Sequence, residues 1–96
     1  MIKHIVLFKF KPGVSDADRD RFVEMIRGMP ARIPEIRELH AGPDVLRSER
    51  SYDVALVSSF EDLAALGRYA KHEAHQPVIQ HGDTLCQTKV AVDFEF

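Results

Sequence analysis

The chain has 96 residues, of which 45% are hydrophobic and 29% charged, with a formal net charge of −2. That is the make-up of one small globular domain over residues 1–96, with no basic excess or run to mark a nucleic-acid or anionic-membrane surface. A single cysteine, Cys86, excludes an intrachain disulfide framework and a cysteine-built zinc site.

Apolar runs are only a few residues long, so no bilayer span is expected. The chain opens directly on a strand-like pattern without a signal-peptide core, and a cytoplasmic location is the expectation. From Ile2 to Lys11, Ile2, His4, Val6, Phe8 and Phe10 alternate with Lys3, Ile5, Leu7, Lys9 and Lys11, which predicts a strand ended by Pro12-Gly13. Ser15 follows as an N-cap, with Asp16, Asp18 and Asp20 placed near the positive helix end. Phe22, Met25, Ile26, Met29 and Ile33 recur at three- and four-residue spacings, the stripe of a helix lying on a core. Gly28 and Pro30 are expected to end or kink that helix near residue 29.

Residues 35–43 read as an edge strand, irregular because Ile36 and Leu39 break alternation, and residues 44–51 as a polar connection. Residues 52–60 form the clearest second strand, with Val54-Ala55-Leu56-Val57 apolar on both faces. Asp62 can cap a second helix with Leu63, Leu66 and Tyr69 or Ala70 inward. Residues 72–82 are expected to be helical but broken around Pro77. Thr84 to Phe96 closes the chain as a strand with Cys86, Thr88, Val90, Val92, Phe94 and Phe96 along one side.

The order β-α-β-β-α-β predicts an α+β, ferredoxin-like protomer with an antiparallel sheet and both helices on one face. The other face should then be polar. Instead Ile5, Leu7, Ala55 and Val57 lie there. At about 25 cal/mol per Å² of apolar area, covering several such side chains is worth roughly several kcal/mol, which two sheets stacked face to face supply. A homodimer is the expected assembly.

Candidate chemistry concentrates in Tyr69-Ala70-Lys71-His72-Glu73-Ala74-His75-Gln76. Imidazole titrates near neutral pH, and a phenol can donate to a developing enolate, so this group suits general acid–base work. His4 shares a strand face with Val6 and Phe8 and is expected to border a pocket between sheet and helices. Phe22 and Ile26 of the first helix, and His72, are expected to line it too. The same histidines can instead cap a helix end, and His72 with His75 provides only two of the three or four ligands a metal requires. Cys86 reads as a small buried hydrophobe. Neither a phosphate-binding glycine loop nor a GxSxG elbow is present, and no metal or cofactor is called for.

Lys3 to Lys11, Ile33-Pro34-Glu35-Ile36, Tyr52 to Val57 with Phe60, the stretch Tyr69 to Gln76 and Val92-Asp93-Phe94 together resemble the stress-responsive A/B barrel (Dabb) family, in order and over nearly the whole chain. The resemblance implies a dimeric α/β barrel. Some members of that family are stress-induced plant proteins of unassigned reaction, and one cyclises a linear polyketide by aldol condensation. By that resemblance His75 is a catalytic base, Tyr69 its oxygen-orienting partner and His4 a pocket residue. The chain departs from the family's motif at Glu73, where a proline is usual, and carries Ile26 where the cyclase has an aromatic residue. Two functions follow as expectations: a dimer that binds a small hydrophobic or aromatic ligand, or an enzyme working through an enolate with His75 and Tyr69.

Overall fold

Alternation in the first strand decides how the rest of the chain is arranged. The computed structural model describes all residues, Met1–Phe96. Strand β1 (Ile2–Phe10) lies inside a four-stranded antiparallel sheet of order β2-β3-β1-β4, with β2 at Glu38–Pro43, β3 at Val54–Phe60 and β4 at Cys86–Glu95. Helices α1 (Asp16–Arg27), α2 (Leu63–Lys71) and α3 (Gln76–Leu85) complete a ferredoxin-like α+β fold.

Ser15 caps α1, its Oγ accepting from the Asp18 N–H at 3.1 Å, with Asp16 and Asp18 in the first turn. Gly28 ends the helix, and a 3₁₀ turn at Met29–Ala31 carries Pro30 onward. Phe22, Ile26, Met29 and Ile33 are buried as the spacing predicts, joined by Val23, while Met25 is only partly covered. β2 starts at Glu38, three residues later than expected. Ile36, which disturbed the alternation, sits in the preceding turn and is buried in the core.

Asp62 caps α2 by accepting from the Ala65 N–H at 2.8 Å. The inward residues are Ala65 and Tyr69, not Leu63, which is exposed. Two residues of spacing put Leu63 and Ala65 on roughly opposite sides of the helix. A second correction concerns Pro77, which does not break a helix but starts one. It stands in the first turn of α3, where a missing N–H removes no helical bond, and the real interruption falls at residues 72–75.

Helix α3 continues to Leu85, so β4 begins at Cys86 instead of Thr84. A bulge then alters the expected facing of the strand. Phe10 pairs with Cys86 but Lys9 with Thr88, leaving Gln87 as the extra residue. Cys86 therefore turns into the core, while Val90, Val92 and Phe94 face the opposite side with Leu7, Ile5 and Lys3 as their partners. The sheet consequently has a helix-covered face and an outer face carrying Ile5, Leu7, Val57, Val90, Val92 and Phe94.

Candidate functional site

On the covered side, a cavity of about 280 Å³ lies between the sheet and the helices. β1 contributes His4, Val6 and Phe8, and Leu56 of β3 stands opposite Val6. From α1 come Phe22 and Ile26, both buried, with Met29 just beyond. α3 closes the cavity with Val78, Ile79 and Gly82. Gly82 permits a close approach of α3 to α1, since a Cβ there would stand 3.1 Å from both Cε1 and Cζ of Phe22.

Tyr69 and His75 occupy the same cavity wall. Their rings stack with centroids 4.2 Å apart and planes inclined by 25°. Tyr69 comes from the last turn of α2, and His75 from the residue that precedes α3. The His75 Nδ1–H donates to the Tyr69 carbonyl at 3.2 Å. A carbonyl can only accept, so this bond assigns the proton to Nδ1 and leaves Nε2 with its lone pair. His4 is held in the same way from the opposite side. Its Nδ1–H donates to Asp93, the residue directly across from it on β4. The His4 ring meets the edge of Tyr69 at a centroid distance of 5.9 Å.

Burial sets the electrostatics. It pushes the Tyr69 phenol up to about 12 with no opposing influence, so the hydroxyl remains a proton donor. Burial also holds His75 below its ordinary 6.5, against the Ala70 and Tyr69 carbonyls that favour its charged form. The nearby His4 and Lys89 push it further down. The ring is accordingly a neutral base at physiological pH. Cys86 is likewise raised by burial and stays a thiol.

Of the residues singled out from sequence, His4, Val6, Phe8, Phe22, Ile26, Tyr69 and His75 share the one cavity. His72 does not. Its Nδ1 accepts from the Ala74 N–H at 3.0 Å, and its carbonyl accepts from Gln76 Nε2 at 3.2 Å, so it folds the turn that presents His75. With His72 turned away, no three His, Cys, Asp or Glu side chains gather as a ligand set. Lys89 and Asp93 were not anticipated. Asp93 is legible only from strand register, through its pairing with His4, and Lys89 only once the bulge at Gln87 is known.

Sequence comparison places these residues in a known family. The profile of the Stress responsive A/B Barrel Domain matches residues 2–96. An uncharacterized protein of Streptomyces coelicolor is 34% identical over 99 residues, covering 100% of both chains. Olivetolic acid cyclase of Cannabis sativa is 26% identical over 76 residues, covering 77% of this chain and 75% of its own. Among solved structures, a dimeric ferredoxin-like protein of unknown function from Bacteroides fragilis superposes with a TM-score of 0.89 at 31% identity, covering 99% of this chain and 95% of its own. The chain belongs to the stress-responsive A/B barrel domain family, Dabb.

Proposed function

We propose that the protein is a homodimer that binds a small hydrophobic or aromatic compound in the cavity between sheet and helices. The observation that carries this reading is the cavity itself, a mostly apolar, partly open pocket lined by His4, Tyr69 and His75 from different parts of the chain. Its volume is near the lower end for ligand sites, roughly 300–1,000 Å³, and suits one aromatic ring or a short acyl chain. The dimer draws support from the apolar outer face of the sheet and from similar solved structures described as dimeric.

A second reading, acid–base catalysis at the same site, is favoured by the tautomer of His75. With Nδ1–H donated to the Tyr69 carbonyl, Nε2 can accept a proton from a carbon next to a ligand carbonyl. The C–H pair then becomes the C=C bond as the carbonyl π pair moves to oxygen, giving an enolate to which the Tyr69 hydroxyl donates. The similarity to olivetolic acid cyclase supports chemistry of this kind.

Both readings are tested with benzoylacetone, a neutral aryl β-diketone, added to the protein in D₂O. Binding should shift the methyl resonances of Val6, Ile26 and Val78; shifts confined to other parts of the chain would remove the cavity as the site. Catalysis should accelerate deuterium incorporation at the α-carbon, with His75→Ala losing roughly 10²–10⁴-fold of that acceleration. Binding without acceleration leaves the first reading alone standing.

A further inference from the structure

The polar lining of the cavity is one-sided in charge. Beside its apolar wall it presents His4, His75, Lys89 and Tyr69, and no carboxylate. Lys89 is the unexpected member. It projects from the covered face of β4, directly across from Phe8, because the bulge at Gln87 sets that register. The methylene stem of a lysine can lie along Phe, Ile, Leu and Val side chains while its ammonium stays in water. Here its ammonium is held at the margin by a salt bridge to Asp83 on α3. Both partners keep contact with water, with 37% and 58% of their side-chain surfaces exposed, so the pair is open to exchange. The charge also acts inside the cavity, since it disfavours the protonated form of His75.

We infer that Lys89 is a specificity-determining residue that selects ligands bearing a carboxylate, the ligand's anion replacing Asp83 as the partner of its ammonium while the ring or chain fills the apolar cavity. This rests on the ligand-binding role proposed for that cavity. A carboxylate fits better than a phosphate. The lining contains one fixed cation and no arginine, whereas a dianion draws on several convergent donors. The arrangement also orders the ligand. With its anion at Lys89, the remainder of an acidic aromatic or acyl compound extends along the wall towards His75 and Tyr69.

Calorimetric titration with 4-hydroxybenzoate and with its neutral amide, 4-hydroxybenzamide, separates the claims. The carboxylate should bind about tenfold more tightly than the amide at low salt, as one charge-assisted contact provides. Lys89→Met should abolish that preference, and Lys89→Arg should retain it. Asp83→Asn, which removes the competing carboxylate, should tighten benzoate binding and leave the amide unchanged. Equal affinity for acid and amide in the unaltered protein, or an undiminished preference in Lys89→Met, overturns the role of Lys89 while the cavity reading survives on amide binding. An unchanged or weakened benzoate affinity in Asp83→Asn overturns the exchange. If neither compound binds, the inference and the cavity reading fall together.

Discussion

At the scale of single residues, the candidate site is defined by how two imidazoles are held. His75 and His4 each commit Nδ1–H to a fixed acceptor, the Tyr69 carbonyl and the Asp93 carboxylate respectively. This orients both rings and leaves Nε2 of each without its proton in the neutral form. For His75 the consequence is measurable. Because burial lowers its native value below the ordinary 6.5, an NMR titration of its ring protons should give a midpoint under 6.5, and any turnover that uses it as a base should keep its acid limb below that pH. A midpoint above 6.5 would contradict the buried neutral base. The sign for stability follows from the same shift: the native state binds fewer protons than the unfolded chain, so this residue lowers stability as pH falls through 6.5, levels off below its native value, and contributes nothing at higher pH. Spacing marked Tyr69, His72, Glu73 and His75 as one cluster, and the resemblance to the family singled out Tyr69 and His75 within it. That His72 serves the turn could not be read, because an i, i+3 separation fixes a shared face only within a continuous helix, and the chain leaves helical geometry at His72, whose ψ is 139°.

At the scale of elements, local chemistry was legible wherever one residue determines an end. Ser15 and Asp62 start α1 and α2 as their side chains predict. What escaped the sequence depended on partners far along the chain. The Gln87 bulge is set by how β4 meets β1, and a strict two-residue alternation therefore misplaced Cys86 and gave no hint of Lys89. Pro77 misled for a different reason, since a proline reads alike in a first turn and at a break. The connection between β2 and β3 hangs on Asp53. Its carboxylate accepts from the Phe10 N–H at 2.7 Å and from Arg47 at 2.9 Å, and its own N–H donates to the Phe8 carbonyl at 2.8 Å. Burial alone would raise this carboxyl, but the Phe10 N–H and Arg47 outweigh it and hold it below 3.8. Asp53→Ala should lower stability in urea by about 1–3 kcal/mol, the cost of leaving the Phe10 N–H unpaired. The carboxylate's pH-dependent contribution is fully present above 3.8 and is lost as pH falls through its lower native value. A loss below about 0.5 kcal/mol, the smallest net value for a typical hydrogen bond, would mean that water replaces Asp53 at no cost.

At the scale of the whole molecule, the apolar outer face makes a prediction of its own. Leu7, Val90, Val92 and Phe94 are all exposed in the protomer, with Val92 at 63%. A stable pairing buries roughly 800 Å² on each partner, and a sheet face of this character can provide it when stacked on its copy. Light scattering should therefore report twice the 10.9 kDa chain mass, and Val92→Asp should shift it towards the single chain without unfolding the protomer. A monomeric mass for the unaltered protein at micromolar concentration would leave the outer face without its proposed partner. The apolar outer face was legible in sequence because Ile5 and Leu7 violate the polar alternation of a solvated face, a pattern that needs no tertiary information.

Strand β1 behaves like a text read in two frames. Its even positions, His4, Val6 and Phe8, spell the cavity, and its odd positions, Ile5 and Leu7, spell the outer face. Point substitutions can thus revise the cavity lining and the outer face separately, one frame at a time. An inserted or deleted residue between them exchanges the two messages along the rest of the strand, sending the even-numbered set outwards and the odd-numbered set into the cavity. The length of β1, more than the identity of any residue in it, is what this fold is least able to change.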